Sequence, residues 1–190
     1  MKRKLRSLPP GYHTATPYLV VDDAVEAIDF YKRAFGAREV MRIESGGKIG
    51  HAQIRIGNSH IMVSEEHPEA GALSPKSFGG SPVRIFLYVN DADLFVGKAV
   101  AIGAKLQRLV DEKVYGDRSG SLEDPFGHVW HIATHRENVP IAEIQKRADR
   151  AYDRLLKWEA ASKTIYNQPY GVYTPTLAPP AAPATTAKQP

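Results

Sequence analysis

The chain repeats itself. Val21-Asp22-Asp23-Ala24 is echoed by Val89-Asn90-Asp91-Ala92, Phe35-Gly36-Ala37 by Ile102-Gly103-Ala104, and the turn at Gly57-Asn58 by one at Phe126-Gly127. The offsets are 68, 67 and 69 residues. A near-constant offset through a strand end, a helix end and a turn is the mark of two copies of one supersecondary unit. Whatever one copy forms, the other must form too.

The first copy is readable element by element. Thr14 to Val21 is extended and apolar, with Pro17 near its start, where a strand tolerates proline. Asp23 with Glu26 three residues on makes a capping box. Ala24, Ile28, Tyr31 and Phe35 then recur at helical spacing, Ala27, Phe30 and Ala34 widen the stripe, and Gly36 ends the helix. Glu39 to Glu44 alternates as a strand does and closes on Ser45-Gly46-Gly47. The next strand, Ile49 to Ile56, should place Ile49, His51, Gln53 and Arg55 on one face and Ala52, Ile54 and Ile56 on the other. Gly57-Asn58 turns the chain into a last strand, His60 to Glu65. The unit is βαβββ.

The second copy ends on YGDRSGSLEDPFGHVWH, Tyr115 to His131. Pro125 pre-sets a tight turn and Gly127 supplies the positive φ for its reversal. Beyond it Val129, His131 and Ala133 share one strand face, and His128, Trp130 and Ile132 the other. His131 among small apolar neighbours is a candidate for lining a cleft. Trp130 should pack under the first helix of its own module.

These readings divide the chain into a basic flexible arm (1–12), module one (13–66), a connector (67–81), module two (82–137), an amphipathic helix (138–163) and a disordered Pro- and Ala-rich tail (164–190). The connector is rich in Gly, Ser and Pro, so no regular structure is expected there, and Phe78 would tuck against whatever it crosses. Pro140 suits a first helical turn, and Ile141, Ile144, Ala148, Tyr152 and Leu155 form a stripe that must cover its own domain or a partner subunit.

Composition removes several classes. There is no cysteine, hence no disulfide, thiolate nucleophile or Cys-ligated metal. The formal charge of +4 is a small surplus of 25 basic over 21 acidic residues, part of it from Lys2, Arg3, Lys4 and Arg6. No basic stripe with interleaved aromatics follows that arm, so a solvated tail is favoured over a nucleic-acid contact. No apolar run reaches the length of a membrane span and no apolar signal region follows the basic start, so cytoplasmic residence is the expectation.

With the paired modules in hand, the helix phrase AIDFYKRAFGA and the closing phrase YGDRSGSLEDPFGHVWHIATH resemble the vicinal oxygen chelate superfamily. It includes glyoxalase I, extradiol dioxygenases, fosfomycin-resistance enzymes and bleomycin-resistance binding proteins; the wording is most similar to its PhnB-like branch. The resemblance covers roughly His13 to Glu137. It implies an α+β fold in which paired βαβββ modules form an open, barrel-like cleft, and a homodimer, since an open module pair also leaves sheet edges exposed.

Enzyme members place metal ligands on the first and last strand of each module. Carried over by the phrases, those places fall on Thr16, Met62, Arg84 and His131. Of these only His131 is a good divalent-metal ligand, because Arg stays protonated and Met is a poor ligand for hard ions. His51 and Gln53 would have to complete a site. Arg84 is a fixed charge for a carboxylate, phosphate or enolate, or the partner of a cleft carboxylate. Phe86 reads as cleft wall, and Tyr115 and Arg118 either reach the cleft mouth or, with Asp117, brace a loop. His131 is the candidate catalytic base or ligand donor.

Two functions follow from this reading. The first is metal-free binding of a small, partly apolar anion, with no cofactor expected. The second is a glyoxalase-like lyase or isomerase in which a divalent ion (Ni, Zn, Mn or Fe), held by His131 with His51 and Gln53, stabilises an enediolate-type intermediate.

Overall fold

The computed structural model describes residues 7–166. The elements, in chain order, are β1 (Tyr18–Val21), α1 (Ala24–Phe35), β2 (Arg38–Ser45), β3 (Lys48–Ile56), β4 (Ser59–Glu65), α2 (Pro75–Phe78), β5 (Arg84–Tyr88), α3 (Ala92–Ala101), β6 (Lys105–Glu112), β7 (Asp117–Glu123), β8 (Val129–His135) and α4 (Ile141–Tyr166). The fold is α+β, with one four-stranded sheet ordered β1-β4-β3-β2 and another ordered β5-β8-β7-β6. In each sheet the first-named pair is parallel and the others antiparallel. The sheets do not pair with one another and no barrel closes.

Both module helices start as their sequences require. Asp23 Oδ1 accepts the Glu26 amide at 2.9 Å and Asp91 Oδ1 the Leu94 amide at 3.0 Å, satisfying donors that a first turn leaves orphaned. Gly36 ends α1 at φ 66°, a left-handed conformation open to glycine.

The core is shared between the modules. The rings that meet Trp130 are Tyr31 (tilted, 5.6 Å between centroids) and Phe35 (edge-on, 4.6 Å) of α1, so the helix of the other module joins α3 in packing against it. The reason lies in the Asp-Pro-Phe-Gly turn. Buried Asp124 accepts hydrogen bonds from Tyr31 Oη (2.8 Å), Trp130 Nε1 (2.9 Å) and the amides of Phe126 (2.9 Å) and His128 (3.0 Å). Burying a carboxyl costs free energy unless donors surround it, and here one donor comes from module one and three from module two. Burial nonetheless pushes the Asp124 carboxyl above its ordinary range. His128 Nε2 adds a second tie, donating to the Val20 carbonyl at 3.0 Å.

Two further local differences have clear causes. The β2–β3 register slips between Ile43 and Glu44, leaving Gly50 as an extra residue. The bulge turns Ile49 into the core, 1% exposed, instead of onto the face of His51 and Gln53. The connector is also less irregular than its composition suggests, holding a 3₁₀ turn at Pro68–Ala70 and the short α2. Glu66 Oε1 stitches it by accepting from the Ser74 amide (2.6 Å) and Ser77 Oγ (2.7 Å). Phe78 does not tuck; it is 67% exposed.

The chain forms one compact unit through Ile144 and a second from Gln145 on, which carries most of α4. Residues 1–6 of the basic arm and the tail beyond Tyr166 lie outside the described residues. No helix among the described residues is long and apolar enough to cross a membrane.

Candidate functional site

Strand register carries the repeat down to single residues. In module one Tyr18, Met62, Gln53 and Met41 lie side by side across β1, β4, β3 and β2. In module two Phe86, His131, Ser121 and Arg108 do so across β5, β8, β7 and β6. Corresponding members are separated by 68, 69, 68 and 67 residues. Each row lies on the sheet face opposite its helix, because the alternating residues (Leu19, Val63 and Ala52; Trp130, Ile132 and Leu122) are buried in the core.

The module-one row carries a chain of hydrogen bonds. Tyr12 Oη donates to Gln53 Oε1, Gln53 Nε2 lies 3.1 Å from His51 Nε2, and His51 Nδ1 lies 3.0 Å from Tyr18 Oη. Tyr12 belongs to the stretch read as a flexible arm. Its ring stacks on His60 at 4.3 Å and 12°, while His60 Nδ1 donates to the Gly11 carbonyl at 2.7 Å.

Module two presents an aromatic and cationic face. The Phe86 ring lies nearly parallel to His131 (5.9 Å, 11°), with Tyr88 tilted against it at 5.1 Å. Burial, and then the charges of Arg84, Arg108 and Lys113, hold the His131 imidazole below its ordinary pKa. Lys113 is paired with Asp111, but Arg84 and Arg108 have no ion pair among the described residues. Phe86 and Tyr88 also line a cavity of about 670 Å³ with Phe35, Leu94 and Phe95.

The remaining candidates lie elsewhere. Thr16 precedes β1, donates to the His13 carbonyl at 3.3 Å and lines a cavity of about 110 Å³ with Ile61, Ile85 and Trp130. Arg118 forks onto Asp93 (2.6 and 2.7 Å) and reaches Glu112 at 3.4 Å, clamping β7 to α3. It is not paired with Asp117, which is buried and accepts from Tyr88 Oη (3.0 Å) and His135 Nδ1 (2.7 Å). Tyr115 is half-exposed. The sequence reading missed Tyr12, Tyr18 and Arg108. Tyr18 and Arg108 were within reach, since the offset aligns Tyr18 with Phe86 and Arg108 with Met41; Tyr12 lies outside the repeat.

No group of three or more His, Asp or Glu among the described residues is placed to hold a metal ion. The contacts of His51 lie within module one, those of His131 within module two. Both nitrogens of His51 are engaged, and three cations around His131 oppose a fourth. The donor set of one chain does not fit a glyoxalase-type ion.

A family model described as the Glyoxalase/Bleomycin resistance protein/Dioxygenase superfamily matches residues 12–132. An uncharacterized protein of Mycobacterium bovis is 40% identical over 134 residues, covering 68% of this chain and 88% of its own length. The X-ray structure of an Arabidopsis thaliana gene product superposes with a TM-score of 0.53 at 28% identity, over 64% of this chain and 98% of that one. The crystal structure of TioX from Micromonospora does so with a TM-score of 0.51 at 25% identity, again over 64% and 98%.

Proposed function

The chain belongs to the glyoxalase/bleomycin resistance protein/dioxygenase superfamily, and from that membership we propose that it binds a small, partly apolar organic anion without a glyoxalase-type metal centre. The observation that carries this is the module-two row. A flat pair of rings, Phe86 and His131, lies beside two guanidinium groups, Arg84 and Arg108, that no carboxylate neutralises among the described residues. Rings of that kind stack on a planar apolar body. A guanidinium fork takes a carboxylate in two parallel hydrogen bonds. The neutral His131 contributes a ring surface and a donor rather than another charge. The adjoining cavity, about 670 Å³, has the size of ordinary small-molecule sites.

The same reading includes a homodimer. Tyr18, Met41, Ile43, Phe86 and Tyr88 leave a large part of each side chain in solvent, and exposed apolar surface of this extent favours a covering partner. The helix and closing phrases support placement in the PhnB-like branch.

The test is calorimetric titration of metal-stripped protein with naphthoate as a planar aromatic carboxylate, beside neutral naphthalene methanol. Saturable binding of the acid, weakened about tenfold or more by Arg84→Ala and absent for the alcohol, is expected. Stoichiometric uptake of nickel, zinc, manganese or iron that His131→Ala abolishes would overturn the reading in favour of the lyase.

A further inference from the structure

The module-one row contains a hydrogen-bond chain whose direction is fixed by its first member. Tyr12 Oη gives its proton to Gln53 Oε1, which makes the Gln53 amide nitrogen the donor to His51 Nε2. An imidazole that accepts at Nε2 is neutral and carries its proton on Nδ1. That N–H then faces Tyr18 Oη at 3.0 Å, so the phenol oxygen accepts and keeps its own proton to give. Among the described residues the Tyr18 hydroxyl has no partner besides His51, and the side chain is 48% exposed. Its position is the module-one counterpart of Phe86.

We propose that Tyr18 is a ligand-binding residue that donates its hydroxyl proton to an acceptor oxygen of the bound anion, and that Tyr12, Gln53 and His51 are positioning residues that hold it in the donor sense. This deepens the reading of the chain as a binder of organic anions and rests on it for the ligand's charge. A phenol whose oxygen already accepts is a better donor, because hydrogen bonds in a chain polarise one another. An anion therefore selects the sense in which Tyr18 donates, whereas an ammonium ligand would require the reverse.

The relay also gives the N-terminal segment a role. Tyr12 is set by stacking on His60 and by the bond from His60 Nδ1 to the Gly11 carbonyl. Gly11 has φ 84°, and a Cβ there would sit 2.9 Å from His60 Cε1, so glycine is what lets the segment lie against the sheet. The segment is part of the site.

Two measurements on the full chain test this. The first is the ring-nitrogen NMR signature of His51 at neutral pH without ligand. The Nδ1–H tautomer is expected in the wild type. Tyr12→Phe, which keeps the ring on His60 and removes only the hydroxyl, is expected to shift His51 toward the Nε2–H form. An Nε2–H tautomer in the wild type, or one indifferent to Tyr12→Phe, would overturn the relay.

The second is naphthoate affinity. Tyr18→Phe is expected to weaken it about fivefold to tenfold, the effect of one hydrogen bond, with Tyr12→Phe showing part of that loss at unchanged thermal stability. Unaltered affinity in Tyr18→Phe would overturn the donor assignment. A wild type that binds no naphthoate while His51 shows the expected tautomer would count against the anion reading and the donor role, leaving the relay itself standing.

Discussion

His131 and His135 stand four residues apart on β8, and their surroundings push them in opposite directions. Burial and three neighbouring cations lower the first. The second gains a hydrogen bond to buried Asp117 and another to Asn138, which raise it. The linkage consequences have opposite sign. The His135 contribution to stability is present in full below the ordinary value of 6.5 and is lost as pH rises through the raised folded value. The His131 contribution is present above 6.5 and lost as pH falls through the lowered one. Urea unfolding of wild type and His135→Asn across the near-neutral range should therefore converge at higher pH and diverge below, with the wild type more stable on the acid side. NMR titration of His131 should give a midpoint below that of a free histidine, moving up in Arg84→Gln. Neither environment could be read from the chain, because Asp117, Arg84 and Arg108 come to these rings from other segments.

At the scale of elements, the Asp-Pro-Phe-Gly turn holds the modules together. Tyr31→Phe removes a donor from Asp124 and should cost about 1–3 kcal/mol of unfolding free energy; Asp124→Ala strips several buried donors at once and should cost about 3–5 kcal/mol. Chemical denaturation monitored by the fluorescence of Trp130 and Trp158 would measure both. Gly116, at φ 96°, ends the tight connection into β7, and a Cβ there would lie 2.2 Å from the Glu137 carbonyl oxygen. Gly116→Ala should destabilise by about 2–4 kcal/mol in the same assay. The elements themselves were legible, since helical spacing, capping aspartates and glycine turns are local signals. The bulge at Gly50 and the contribution of α1 to the packing of Trp130 were not. A bulge depends on the neighbouring strand, and the packing of Trp130 depends on a helix almost a hundred residues away.

At the scale of the whole molecule, one βαβββ unit was duplicated and its two open faces then diverged. The register rows show how far. Module one has Tyr18, Met62 and Gln53 where module two has Phe86, His131 and Ser121. The repeat, and with it the fold, was legible because it depends on spacing alone. The proposed site was legible only in part: the phrases pointed to Phe86, His131 and Arg84, the repeat offset could have pointed to Tyr18, and Tyr12, outside the repeat, needed coordinates. Light scattering during gel filtration should give twice the chain mass, and Phe86→Lys, which places a charge on the apolar face, should reduce it toward that of one chain. The central claim is anion binding at the module-two row without a metal. Its most direct test is the NMR shift of the His131 ring on titrating isotope-labelled protein with naphthoate in the presence of a chelator. The account predicts a saturable shift at His131 that Arg84→Ala weakens. An unmoved His131 ring, in a protein that then shows a saturable shift there with zinc or nickel once the chelator is removed, would contradict it.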